Sequence, residues 1–116
     1  HGWAMNRTIQ RGDLFWGHLD PVVGSEIAKT RPCVILSSNE INRRRNTVVI
    51  VPLTTTPEAV RFPLLVAVPS AGTSSKARTE QVRNVDKSRL QGQIGGVSDA
   101  DMDAISRGVA RVLGLS

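Results

Sequence analysis

The chain has 116 residues, of which 40% are hydrophobic and 3% aromatic, with no tyrosine. This is enough for one domain with an aliphatic core of Val, Ile, Leu and Ala, and too little for two. The lone Cys33 excludes an internal disulfide and the longest apolar run of about five residues excludes a span of ~20, while a formal charge of +5 fits a polyanionic partner without requiring one.

His1-Gly2-Trp3-Ala4, ahead of Met5, reads as a cloning remnant, which leaves residues 5–116 as one domain. Leu14-Phe15-Trp16 is a short β-prone run after the turn signal Arg11-Gly12-Asp13. Residues 18–31 read as a long loop marked by Asp20-Pro21 and Gly24, and Pro32 to Ser38 as a strand. The polar stretch Asn39 to Asn46 carries Arg43-Arg44-Arg45 and the signal of a short helical turn over 39–43. Thr47 to Leu53 is β-branched and apolar, the pattern of a central strand, and Leu64 to Val68 reads as another. Pro69 to Lys76 is small and polar, which predicts a mobile loop, and shorter strands are expected at 77–82 and 93–97.

The tail carries the one strong helix signal. Ser98 is a good N-cap, Asp101 completes a capping-box-like pattern, and Val97 and Met102 occupy staple positions. Met102, Ile105, Val109 and Val112 then form an apolar stripe that should pack on the sheet. Short strands with one terminal helix predict a mainly β fold, a small bent sheet or barrel. Nothing resembles a signal peptide, so a reducing cytoplasm is the expected location, and Cys33 among apolar neighbours reads as a small buried hydrophobe.

The densest chemistry lies in Gly24-Ser25-Glu26 and Arg31-Pro32, which run into Cys33-Val34-Ile35-Leu36. A hydroxyl, a carboxylate and a guanidinium beside a rigid strand can hold a phosphate. Pro52-Leu53-Thr54 closes a second strand, and Arg78-Thr79-Glu80-Gln81 follows the small-residue segment. Together with Arg11-Gly12-Asp13, Asp20-Pro21 and the run from Glu80 to Leu90, these pieces resemble the MazF/PemK (Kid) family of toxin endoribonucleases over nearly the whole chain.

The resemblance implies an SH3-like (CcdB/PemK-type) barrel of short antiparallel strands with a C-terminal helix, acting as a homodimer. It implies cleavage of single-stranded RNA at a short sequence without metal or other cofactor, and inhibition by a cognate MazE-like antitoxin. The 2′-hydroxyl would be the nucleophile, giving a 2′,3′-cyclic phosphate and a 5′-hydroxyl. Such a reaction needs a base, charge stabilisation at phosphorus and a proton for the leaving oxygen.

By the same resemblance Arg31 is the catalytic arginine and Thr54 the catalytic threonine, with Thr55 and Thr56 as neighbours in competing register. Arg31 has a planar fork suited to two phosphate oxygens, with Pro32 stiffening its exit from the loop. Its bland alternative is a structural ion pair, and that of Thr54 is a hydroxyl satisfying backbone. Glu26 is a candidate base, and Ser25 stands where the Kid branch has histidine. Arg78 and Glu80, two apart, fall on one face if extended and match the acid and base pair of the Kid branch, which has Asp in place of Glu80. Glu80-Gln81 also matches a MazF-type RNA-contacting pair. His18 is an RNA-proximal or simply exposed histidine, without a catalytic role. The Arg43–Arg45 run offers phosphate contacts or a solvated turn, and Trp16 reads as core or dimer interface. The competing functions are a CcdB-like gyrase poison, which needs no Arg31–Thr54 pair, and an RNA-binding module without activity.

Overall fold

The computed structural model describes residues 8–19 and 30–116. Seven strands appear in the described chain: β1 Asp13–His18, β2 Thr30–Ile35, β3 Thr47–Thr54, β4 Leu65–Ala67, β5 Lys76–Arg78, β6 Arg83–Asp86 and β7 Leu90–Gly96. Helix α1, Asn39–Arg44, joins β2 to β3, and helix α2, Asp99–Val112, ends the fold. Short 3-10 turns at Pro69–Ala71, Thr79–Gln81 and Lys87–Arg89 link β4 to β5, β5 to β6 and β6 to β7.

The strands form one antiparallel sheet in the order β4-β5-β3-β2-β1-β7. The eight-residue β3 divides its outer edge between two partners. Thr47–Ile50 pairs with β6, and Leu53–Thr54 pairs with β5. Among the described residues the sheet does not close, so the expected barrel is an open one.

Both faces of the sheet are covered, which explains why Cys33–Leu36 and Val48–Leu53 are continuously apolar rather than alternating. One face buries Phe15, Leu19, Cys33, Ile35, Val48, Ile50 and Leu90 inside the bend. The other buries Leu14, Val34, Val51, Leu53, Val68 and Ala77 beneath Ile105 and Val109 of α2. Close seating of α2 depends on Gly108, where an added Cβ would lie 3.0 Å from Thr79 Cγ2 and 3.1 Å from the Pro63 carbonyl oxygen.

Ser98 caps α2 as the sequence predicts, accepting the Asp101 N–H at 3.1 Å. The second half of the capping box differs. The buried Asp101 carboxylate accepts from the Ser70 N–H and hydroxyl, at 2.8 and 2.5 Å, and the Ser98 N–H donates to Ser70 Oγ at 2.9 Å. This bolt fastens the start of the Pro69–Lys76 segment. The segment holds a 3-10 turn fastened to α2, and the Val68 N–H donates to the Ser75 carbonyl.

Other expectations shift locally. Strand β2 begins at Thr30, so Arg31 and Pro32 lie inside it rather than at a loop exit. Strand β6 was not legible in the sequence, and the expected strand over 77–82 divides into β5 and a 3-10 turn. Trp16 is 45% exposed and belongs to neither buried cluster, so of its two readings, core or dimer interface, the core is removed.

Cys33 is fully buried against the inner cluster, and desolvation pushes its thiol pKa up to about 12. The thiolate that reacts with alkylating reagents is therefore scarce at neutral pH. Iodoacetamide should leave Cys33 unmodified in the native protein and label it fully in urea, read by intact mass.

Candidate nucleic-acid interface

The register of the sheet brings the distant sequence candidates together. Cys33 pairs with Pro52 and Val34 with Val51. Continuing that ladder by two places sets Arg31 of β2 opposite Thr54 of β3. On the far side of β3, Thr54 pairs with Lys76 and Leu53 with Ala77. One place further, Arg78 falls opposite Pro52. Because side chains alternate along a strand, Arg31, Thr54, Lys76 and Arg78 all project from the same face, at the end of the sheet where β3 stops.

Arg31, Thr54 and Arg78 line a groove, and Lys76 stands beside it on the same face. One part, of about 410 Å³, is lined by Arg31, Pro52, Leu53, Thr54, Arg78 and Gln81. A neighbouring part, of about 180 Å³, shares Arg31, Leu53 and Thr54 and adds Thr30, Pro32, Thr55 and Ser75. Arg31 is exposed and Thr54 half-buried. The rigid strand ends hold them, and Pro52 lies between them on the same face.

The segment after β3 organises the rim. Thr54 Oγ1 accepts the Thr56 N–H at 3.2 Å, a short turn that competes with continuation of the strand. The hydroxyl proton of Thr54 is not used in that bond. Thr56 Oγ1 accepts the Glu58 N–H and donates to Glu58 Oε1, both at 3.3 Å. Lys76 Nζ donates to the carbonyl oxygens of Thr56 at 2.9 Å and Ser74 at 3.5 Å. Arg78 Nη2 donates to Glu58 Oε1 at 3.3 Å. The rim thus carries three cationic side chains and one described carboxylate, a field that attracts phosphate.

The other sequence candidates distribute differently. Glu80 is exposed on the Thr79–Gln81 turn and does not line the groove, although its neighbour Gln81 does. The described carboxylate bonded to Arg78 is that of Glu58 rather than of Glu80. Strand β5 ends at Arg78 and the chain turns into a 3-10 conformation, so the extended two-residue spacing does not hold. His18 sits at the end of β1 opposite Thr30, with Nδ1 at 3.0 Å from Gln91 Nε2, and does not itself line the groove. Ser25 and Glu26, with Asp20-Pro21 and Gly24, lie outside the described residues. Arg43–Arg45 precede Thr47, at the opposite end of β3 from Thr54, roughly 23 Å away at ~3.3 Å per residue.

Lys76, Ser75, Thr56 and Glu58 are groove-side residues that the sequence reading missed. The Lys76-Ala77-Arg78 alternation was a usable signal for a basic strand face. Glu58 left none, because it sits in an irregular connection and meets Arg78 only through the fold. Among the described residues no group of three His, Cys, Asp or Glu side chains is placed to hold a metal ion, and no helix is long and apolar enough to cross a membrane.

Comparison with known proteins adds an independent line. A family model described as a PemK-like, MazF-like toxin of type II toxin–antitoxin systems matches residues 10–113. Endoribonuclease EndoA of Bacillus subtilis is 29% identical over 111 residues, covering 92% of this chain and 96% of that protein. Endoribonuclease MazF of Staphylococcus saprophyticus is 30% identical, covering 92% of each. Among solved structures, a mycobacterial endoribonuclease in complex with its cognate antitoxin superposes with a TM-score of 0.74 at 29% identity, covering 94% of this chain and 96% of its own. The MazF of a MazE–MazF complex from Deinococcus radiodurans shares the fold, with a TM-score of 0.79 at 24% identity over 95% of this chain and 99% of its own.

Proposed function

The chain belongs to the PemK-like, MazF-like toxins of type II toxin–antitoxin systems, and from that membership we propose that the groove between Arg31 and Thr54 is where it cuts single-stranded RNA. The protein is an endoribonuclease of this family. The observation that carries the location is the cross-strand row: Arg31 and Thr54 come from strands separated by a helix in sequence, yet rim one groove with Arg78 and Gln81.

In this reading the RNA supplies its own nucleophile, and the protein supplies position and charge. Arg31 turns its guanidinium fork to the two non-bridging oxygens and stabilises the phosphorane. A guanidinium holds its protons too tightly to be a ready acid, so charge stabilisation is its role. The Thr54 hydroxyl donates to a phosphate oxygen while its lone pair keeps the Thr56 N–H. Gln81 and Glu80 face the RNA beyond the scissile phosphate. The base is drawn from Glu26 and Glu80, and Arg78 binds phosphate or acts as the acid. With few aromatic residues to stack on, recognition rests on hydrogen bonds from loops to splayed bases.

The active form is a homodimer in the cytoplasm, held inactive by a cognate MazE-like antitoxin. Support for the partner comes from relatives of the same fold solved with their antitoxins. The test of the reaction is cleavage of a long single-stranded RNA in excess EDTA, with the ends mapped. Discrete EDTA-resistant cuts with 5′-hydroxyl and 2′,3′-cyclic phosphate ends are expected, and a single 2′-deoxy substitution at the cut nucleotide should block cleavage. Cutting that persists at a 2′-deoxy site would overturn the 2′-hydroxyl mechanism.

A further inference from the structure

We propose that Glu58 is the internal counter-anion of the groove, holding on Arg78 the place that an RNA phosphate takes, and that it thereby limits affinity for RNA. The inference rests on the reading of the groove as the RNA site.

Three observations carry it. First, Arg78 lines the groove and its charge is offset by the Glu58 carboxylate at 3.3 Å. The bonds of Lys76 go to two carbonyl oxygens, which orient its ammonium and leave its net charge uncompensated. Second, the Arg78–Glu58 contact is built to yield. It is a single hydrogen bond, Glu58 is 56% exposed and Arg78 30% exposed, and exposed pairs of this kind are weak. A phosphate offers two oxygens to the same planar fork and forms the stronger, bidentate bond. Third, Glu58 has somewhere to go. Its N–H and Oε1 are both tied to Thr56 Oγ1, so release from Arg78 leaves the carboxylate hydrogen-bonded and hydrated.

The test measures the affinity of the full chain for a short single-stranded RNA carrying a 2′-deoxy residue at the mapped cut. Wild type, Glu58→Gln, Arg78→Ala and the double variant are compared at several salt concentrations. Gln keeps an acceptor for Thr56, so the turn persists and only the charge changes. Glu58→Gln should tighten binding by roughly three- to five-fold at low salt, the scale of one exposed ion pair. It should also steepen the salt dependence by up to about 0.7 in log–log slope. Arg78→Ala should weaken binding, and in its background the gain from Glu58→Gln should vanish. Unchanged or weakened binding by Glu58→Gln overturns the proposal, as does a gain that survives without Arg78. If Arg31→Ala and Arg78→Ala both bind as wild type, the groove is not the RNA site, and the location fails with it.

Discussion

Arg31→Ala is expected to lower the single-turnover rate of RNA cleavage by ~10²–10³, the usual cost of removing one preorganised donor from a developing oxyanion. The fold should survive. Arg31 is exposed, near the start of β2, and its backbone remains in the ladder with Gly17. Surface substitutions of this kind shift stability by about 1 kcal/mol or less, so the urea midpoint should stay close to wild type. Arg31→Lys keeps a positive charge but loses the planar fork. It should restore RNA binding more fully than rate. Rapid-quench cleavage of an end-labelled RNA, with enzyme in excess, separates the two quantities. An Arg31→Ala protein that cleaves at the wild-type rate would remove Arg31 from the chemistry and leave the groove as a binding surface.

Phe15→Ala should cost about 3–5 kcal/mol of stability, the range for deleting a fully buried aromatic ring. Phe15 is fully buried in the inner cluster, and it pairs across β1 and β2 with Cys33. Cys33 in turn pairs with Pro52, which lines the groove. The ring therefore supports the strands on which Arg31 and Thr54 are aligned. Set against the ~5–15 kcal/mol that a whole domain commands, the loss should drop the urea midpoint sharply, as read by far-UV circular dichroism. Activity per folded molecule should also fall, because a cavity beneath the strands loosens their spacing. A loss below about 1 kcal/mol would mean that the sheet collapses onto the space and that the ring is no keystone.

How far the sequence could be read depended on how local the signal was. Helix α2 was legible because its cap, first turn and apolar stripe lie within one segment: Ser98 binds the Asp101 N–H, and Ile105 and Val109 are buried as spaced. The carboxylate of Asp101 was not legible, because its partner Ser70 belongs to a distant turn. Strands β2 and β3 showed as apolar runs, since both faces of the sheet are buried. Strand β6, with Arg83, Asn84 and Asp86 exposed, buries only Val85 and carries no pattern strong enough to distinguish it from a loop. Trp16 reads as core or dimer interface by its chemistry, and the register of β1 leaves it 45% exposed.

The same division runs through the candidate site. Arg31 and Thr54 could be named from short motifs, because each motif is a local peptide whose residue types fit phosphate chemistry. That they share a groove was decided by the register of Cys33 on Pro52, which is set by burial on both sides of the sheet. The meeting of Glu58 with Arg78 has the same origin. Alternation, capping and apolar runs act over a few residues and are written in the sequence. Which charges meet depends on strand pairing across the chain, where one step of register carries a side chain to the opposite face, and only the folded sheet fixes that step.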